Sequence, residues 1–401
     1  MQLARRIKQV APSPTLAITA KAKQMKAAGT DVANFGAGEP DFDTPDYIKE
    51  AAIQAIHDGY TKYTPASGSA ELKEAVCDKL RRENGLDYTP KEVIINCGAK
   101  HSIYNVFQAL LNSGDEVLIP APYWVTYPEA VRLAGGKPVI VKTTERSGFK
   151  LTPAVLRRRI RPKTRALILN SPSNPTGTVY AEDEIRELMD VAAAKRITVL
   201  SDEIYEHLLY DGVQHFSPAQ AGERAKANTL VVNGVSKAFS MTGWRIGYTA
   251  GPAEMIAATA KLQSHSTSNP CSIAMKAALA ALTQPAAELP AMVKAFDERR
   301  RFVVDRLNAV PGVTCLKPQG AFYVFPNVSG LLGKVYGGKR VSTGMQLAEY
   351  LLDKAHVAVV PGSAFGVEEA LRISYATSLA NLEKGMDRFA AAVAKGREPG
   401  A

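Results

Sequence analysis

Gly234-Val235-Ser236-Lys237-Ala238-Phe239-Ser240-Met241-Thr242-Gly243-Trp244-Arg245-Ile246-Gly247 follows directly on Leu230-Val231-Val232-Asn233, which reads as a short buried strand. Lys237 therefore stands at a strand end among small and apolar neighbours. Desolvation in such a place lowers the pKa of an ammonium, and the neutral amine is the form that attacks a carbonyl carbon. Upstream, Val93-Ile94-Ile95-Asn96, Glu116-Val117-Leu118-Ile119, Pro138-Val139-Ile140-Val141, Ala166-Leu167-Ile168-Leu169 and Ile197-Thr198-Val199-Leu200 read as further strands. Helical periods separate several of them. The clearest covers 181–196, with Ile185, Leu188, Met189 and Ala192 on one face, acids in the first turn and Lys195-Arg196 at the end. This rhythm implies crossover connections and a largely parallel sheet covered by helices on both faces, an α/β domain over 47–295. Sheets of this kind take ligands at the carboxyl ends of their strands, where Lys237 lies.

A long helical stretch near 286–307 leads into a second unit. Its expected strands are 321–325, 357–360 and 371–374, and its expected helices 343–355 and 379–394, which predicts a smaller α+β domain built from 296–401 with the N-terminal segment 1–46.

The 401 residues are 46% hydrophobic and 22% charged, the composition of a globular chain, which excludes disorder, collagen and a disulfide scaffold. The formal charge of +10 fits nucleic acid, acidic membrane or anionic small molecules alike. Cys77, Cys97, Cys271 and Cys315 show neither paired nor zinc-ligand spacing, so buried reduced thiols are expected and no metal site. No apolar run reaches membrane-spanning length, and the basic start lacks the apolar stretch of a signal peptide, so a cytoplasmic protein is expected. Gly333-Lys334-Val335-Tyr336-Gly337-Gly338-Lys339 approaches a P-loop, but Arg340 stands where a magnesium-binding Ser or Thr is needed, and a surface loop is the better reading. Gly36-Ala37-Gly38-Glu39-Pro40 fails as a dinucleotide fingerprint because Pro40 and Asp41 stand where a helix should open.

Ser201-Asp202-Glu203-Ile204-Tyr205 puts a carboxylate and a phenol at a strand end neighbouring that of Lys237. Pyridoxal phosphate needs such a set: a lysine for its aldehyde, a carboxylate for its pyridinium nitrogen, and donors for its phenolate oxygen and phosphate. The stretch 234–247 resembles the pyridoxal-lysine signature of class I aminotransferases at nearly every specified position. The resemblance continues, in family order, through Gly36-Ala37-Gly38-Glu39-Pro40-Asp41-Phe42, Lys62-Tyr63-Thr64-Pro65, Pro122-Tyr123-Trp124, Asn170-Ser171-Pro172-Ser173-Asn174-Pro175-Thr176-Gly177, Ser201-Asp202-Glu203-Ile204-Tyr205 and Leu371-Arg372-Ile373-Ser374-Tyr375. It covers essentially the whole chain and looks closest to the bacterial aspartate aminotransferase branch that includes enzymes acting on prephenate.

The resemblance implies fold type I of the pyridoxal 5'-phosphate enzymes, with a mostly parallel seven-stranded sheet in the large domain. By the same match, Lys237 is the Schiff-base lysine and proton shuttle, Asp202 the partner of the pyridine nitrogen, and Tyr205 and Asn174 the donors to the phenolate oxygen. Phosphate contacts fall to Arg245, Ser236 and the backbone amides of Ala99 and Lys100, which open a helix and so present free N–H groups to an anion. Trp124 matches the ring stacked on the cofactor, and Tyr63 a tyrosine that reaches the phosphate of the neighbouring subunit, which implies a homodimer. Arg372 matches the arginine that grips the substrate α-carboxylate, with Gly38 bringing backbone close to it and Trp124 and Asn174 alongside.

The expected reaction is ping-pong transamination between aspartate or glutamate and 2-oxoglutarate or oxaloacetate, so the partners are small amino acids and 2-oxo acids, with no nucleic acid and no membrane. Lys100 is expected to reach the distal carboxylate, aided by the neighbouring chain's 264–268 segment. Prephenate or aromatic substrates remain an alternative, though Ala11 precedes Pro12 where prephenate-using relatives tend to carry a basic residue. A lyase on the same fold is a second alternative. A DNA-binding regulator is a third, disfavoured because the first motif begins at Asn34 and leaves little chain for a helix-turn-helix.

Overall fold

The structure, a computed structural model, describes residues 2–4, 6–12 and 14–399. Met1, Arg5, Ser13, Gly400 and Ala401, all within stretches assigned above to the small domain, lie outside the described residues. Seven strands form the large sheet: β1 (Val93–Asn96), β2 (Glu116–Ala121), β3 (Lys137–Lys142), β4 (Thr164–Asn170), β5 (Thr198–Asp202), β6 (Thr229–Gly234) and β7 (Gly247–Ala250). They lie in the order β1-β7-β6-β5-β4-β2-β3. β7 runs antiparallel to β1 and β6, and the remaining neighbours are parallel. Six of these strands were expected. Gly247-Tyr248-Thr249-Ala250 was not, because two small residues and a threonine leave no apolar run to read.

Alternate residues of the strands feed opposite faces. Val117, Ile119 and Ile168 pack with Ile103, Val106 and Phe107, whereas Leu118, Leu167, Leu169 and Val199 pack with Ile185, Leu188 and Met189. The helix expected over 181–196 runs Glu182–Ala194. Glu184 accepts from the Ala181 N–H at 2.7 Å at its start, and Arg196 turns left-handed at φ 53° just past its end, so Lys195 and Arg196 flank rather than close it.

The second unit has a three-stranded antiparallel sheet, Val360–Pro361, Leu371–Ser374 and Tyr323–Val324, and a parallel pair in which Ala33–Asn34 lies against Val357–Ala358. The strand expected over 357–360 is therefore two pieces with different partners. That expected over 321–325 shrinks to Tyr323–Val324, since Ala321 turns at φ 58°. Leu289–Asn308 starts later than expected because Pro290 fits only the first turn of a helix. The helix expected over 343–355 is α-helical through Gly344–Tyr350 and widens into a π turn over Leu351–Ala355. Helix Leu379–Val393 closes the unit. The P-loop-like stretch is a hairpin, Val335–Tyr336 with Lys339–Arg340, turned by Gly337 and Gly338 at φ 55° and 82°. All four cysteines are free thiols, but only Cys77 and Cys315 are buried; Cys97 is half-buried and Cys271 exposed, against the uniform burial expected.

Candidate active site

Strand register assembles the site. Asn170 at the end of β4 pairs with Asp202 at the end of β5, and Asp202 with Val232 of β6. At the same edge Gly247 lies opposite both Gly234 and Asn96, so the loop carrying Lys237 and Arg245 meets the turn between β1 and helix Ala99–Leu110. These carboxyl ends open into a cavity of about 420 Å³, lined among others by Gly38, Ala99, Lys100, Trp124, Asn174, Asp202, Tyr205, Ser236, Lys237, Arg245 and Arg372. Eleven of the twelve residues singled out from sequence thus share one cavity. Tyr63 does not: it is 90% exposed on the surface. Five cations line the cavity (Lys23, Lys100, Lys237, Arg245, Arg372) against two acids, Glu39 and Asp202, which suits anionic ligands.

Lys237 donates from Nζ to the Gly38 carbonyl at 2.6 Å. Burial, with Arg372 and Arg245 nearby, pushes its pKa down to about 8 despite the opposing charges of Glu39 and Asp202, so a usable fraction is neutral near physiological pH. Asp202 is 3% exposed. It accepts from Tyr127 Oη at 2.7 Å and from the Ile204 N–H at 3.3 Å, and burial raises its carboxyl to about 6. Tyr205 shares a hydrogen bond with Tyr323 Oη at 2.9 Å.

Arg372 is 3% exposed and donates to Asn174 Oδ1 at 3.2 Å and to the Gly36 carbonyl at 2.7 Å, over the ring of Tyr323 at 4.5 Å. Its buried Nε has no partner among the described residues. A buried guanidinium held only by neutral oxygens is costly unless a carboxylate completes it. Across the cavity, Arg245 is tied to the Thr242 carbonyl at 2.7 Å and lies against Gly98, where a Cβ would stand 2.3 Å from Nη2. Gly98, at φ 87°, thereby lets the guanidinium approach the free N–H groups that open helix Ala99–Leu110. Lys100 donates to Thr126 Oγ1 at 2.7 Å and sits 4.5 Å from the centre of the Trp124 ring, its pKa lowered by burial and by Arg245.

The family described as Aminotransferase class I and II matches residues 30–389. The chain belongs to this family. It is 52% identical over 389 residues to an aspartate aminotransferase of Geobacillus stearothermophilus, covering 97% of this chain and 98% of the relative. It is likewise 52% identical over 372 residues to an aspartate/prephenate aminotransferase of Cereibacter sphaeroides, covering 92% and 93%. Among solved structures it resembles the aspartate aminotransferase of Rhizobium meliloti, with a TM-score of 0.96, 48% identity and coverage of 99% and 100%. A second is that of Thermus thermophilus with maleate, at 0.92, 46%, 98% and 100%. The fold is therefore that of the fold-type-I enzymes, and the chain is an aminotransferase.

Three residues of this aminotransferase's site escaped the sequence reading. Tyr127 and Tyr323 line the cavity and hold Asp202 and Tyr205 respectively. Asn170 clamps the strand ends, donating to the Asp202 carbonyl at 2.9 Å and accepting from the Asn174 N–H at 2.8 Å. The signal for Tyr127 was its spacing, three residues after Trp124 and so close to it at a helix start. Among the described residues, no helix is long and apolar enough to cross a membrane.

Proposed function

We propose that this aminotransferase is a pyridoxal 5'-phosphate enzyme that moves the amino group of aspartate or glutamate to 2-oxoglutarate or oxaloacetate in alternating half-reactions, and that it works as a homodimer. The observation that carries the reading is Arg372, a buried guanidinium lacking a carboxylate, in one cavity with a low-pKa lysine and a buried aspartate. The donor set fits the cofactor: the helix start at Ala99 and Lys100 with Arg245 and Ser236 suits a phosphate, Asp202 a ring nitrogen, Tyr205 and Asn174 a phenolate oxygen, and Trp124 a ring face.

When bound, the cofactor supplies an aldehyde for the substrate amine and a ring that draws electrons from the α carbon. Lys237 Nζ, neutral in part and aimed by the Gly38 carbonyl, takes the α proton and returns it. Asp202 presents a fixed negative charge in a dry setting, where such charge acts most strongly. Arg372 binds the α-carboxylate with both arms of its fork and so fixes which bond faces Lys237. Aspartate as donor follows the names of the relatives at about half identity, and Lys100 on the Trp124 wall supports it.

The homodimer is supported by Tyr63 and by the segment 264–268, all exposed here and matching the residues that reach across in the family. The division into 47–295 and the flanking 1–46 with 296–401 is part of the proposal, supported by the pairing of Ala33–Asn34 with Val357–Ala358. Four free thiols support a reducing, cytoplasmic setting.

Borohydride treatment of the purified holoenzyme should fix the cofactor to Lys237, and aspartate alone should release one equivalent of oxaloacetate per site. Label on another lysine, or continuous ammonia release as from a lyase, refutes the reading. A mixed dimer with Tyr63→Phe on one chain and Lys237→Ala on the other should keep about half of wild-type activity, since both lesions fall in one site. Near-complete loss would place Tyr63 within its own chain's site.

A further inference from the structure

Tyr127 stands in the first turn of helix Thr126–Leu133, 2% exposed. Its hydroxyl donates to Asp202 Oδ2 at 2.7 Å, and its ring meets Trp124 edge to face, with centroids 5.5 Å apart and planes at 85°. One side chain thus touches both the carboxylate and the aromatic wall of the cavity. The other oxygen of Asp202 has only the weaker contact from the Ile204 N–H at 3.3 Å. The remaining titratable groups facing Asp202 are Glu203 beside it, Tyr205 from the turn after β5, and Lys237 from the loop after β6. Glu203 disfavours the carboxylate and Lys237 favours it, while Tyr127 supplies the short hydrogen bond to its charged form.

We infer that Tyr127 is a positioning residue whose hydroxyl fixes the orientation and the charge of the Asp202 carboxylate. The inference rests on the reading of Asp202 as the partner of the cofactor's ring nitrogen. The geometry makes the tie specific. A carboxylate sunk in the cavity floor can rotate about its last bond unless one oxygen is held, and Tyr127 Oη holds Oδ2. Burial works against ionisation of Asp202, and the hydrogen bonds from Tyr127 and Ile204, with the charge of Lys237, work for it.

Tyr127→Phe removes the hydroxyl and keeps the ring that packs on Trp124. In the apoprotein, the Asp202 carboxyl can be followed by infrared difference spectroscopy against Asp202→Asn. Its titration should move to higher pH by about one to two units in Tyr127→Phe, the loss expected for a hydrogen bond to a charged group. The apoprotein's affinity for pyridoxal phosphate should fall about tenfold, more steeply below pH 7. The acid limb of kcat should rise in step, with KM for aspartate unchanged. In the Asp202→Asn background, Tyr127→Phe should add nothing. If folding of Tyr127→Phe is impaired, 3-fluorotyrosine at 127, a stronger donor, should move the titration to lower pH. An unmoved titration and unmoved cofactor affinity overturn the inference and leave Tyr127 a structural tie. If wild type neither binds the cofactor nor transaminates, the functional reading fails, and the infrared titration still decides whether Tyr127 governs Asp202.

Discussion

Tyr205 and Glu206 are consecutive, yet they serve two buried charge clusters of opposite character. Glu206 takes hydrogen bonds from Lys79, from Asn84 Nδ2 at 2.8 Å and from Asn233 Nδ2. Lys79 also donates to Asn84 Oδ1 at 2.8 Å and lies 3.5 Å from Glu83, itself 2.9 Å from His207. Glu83, Glu206 and His207 are close enough together to hold a metal ion, but the Lys79 ammonium already stands among them. Around Tyr205 the pairing is incomplete among the described residues: Arg372 has no carboxylate, Lys237 has a carbonyl and Asp202 has uncharged donors. Burying charge is costly in both places. In the Lys79 cluster Lys79 pairs with Glu206 and Arg82 lies 2.7 Å from Glu83, whereas in the cavity the proposed function has a phosphate, a ring nitrogen and a carboxylate complete the charges that the chain leaves open. Incomplete pairing, more than burial, separates the site from the scaffold.

Removing a cavity charge should spare the fold, and removing a scaffold charge should weaken it; the opposite result would erase the difference between the two clusters. The largest effect is expected at Lys237. Lys237→Ala should lower turnover by ~10³-fold or more, because on the proposed function the positioned base disappears, while the apoprotein should lose no stability in urea at about pH 7, because burial disfavours the ammonium that is removed. Lys79→Met should do the reverse. It strands Glu206 without its cation and should cost about 3–5 kcal/mol in urea unfolding, with kcat of the folded enzyme preserved. A stable but inactive Lys79→Met would end the distinction.

Acid sharpens it further. Burial holds the folded pKa of Asp202 at about 6, above its ordinary value of 3.8. Between those values the folded apoprotein binds the proton that the unfolded chain releases, so stability from this group is complete below about pH 4 and lost as pH rises through 6. Asp202→Asn should therefore stabilise the apoprotein on the order of 2–3 kcal/mol at pH 7.5, with the gain gone by pH 4. Glu83 has the opposite sign. Burial alone would raise its carboxyl, but His207 and Lys79 hold it at about 2, so its contribution is present above about pH 4.5 and lost as pH falls through 2. Equal stability of Asp202→Asn and wild type at pH 7.5 would show that the cavity carries no uncompensated charge.

Six strands of the large sheet were legible because each carries a continuous apolar run; five of the runs are buried almost throughout, whereas that of β3, at the sheet edge, is only partly buried. β7 was not, because Gly247 serves the close approach of the helix start, where a Cβ would stand 2.4 Å from the Ala99 nitrogen, and not apolar burial. The small unit's strands were read too long. Its short pieces change partners within four residues, and pairing is a long-range property that local pattern does not carry. In the site, the residues expected to touch ligands were singled out through motifs, but Tyr127 and Tyr323 act on other side chains: the spacing of Tyr127 from Trp124 places it at the cavity, while its bond to Asp202 and that of Tyr323 to Tyr205 join distant segments and leave no spacing to read. The Lys79 cluster was invisible for the same reason: Lys79 and Glu206 are 127 positions apart.

The smallest effect tests how the cavity divides its cations. Lys100 opens the helix whose N–H groups the proposed function assigns to a phosphate, yet its side chain turns to Thr126 and the Trp124 ring. Burial and Arg245 lower its pKa, and its hydrogen bond goes to a hydroxyl, so a carboxylate arriving there gains a charge-assisted contact that no protein group supplies. Such contacts are worth about 1.5–3 kcal/mol. Lys100→Ala should accordingly lower kcat/KM for aspartate by about tenfold to a hundredfold and leave alanine and aromatic donors near wild type. A loss shared by all donors, with weaker cofactor binding, would assign Lys100 to the phosphate. Arg372 would then be the one cation of the five left to bind a substrate carboxylate, and acidic specificity would have to come from the neighbouring subunit.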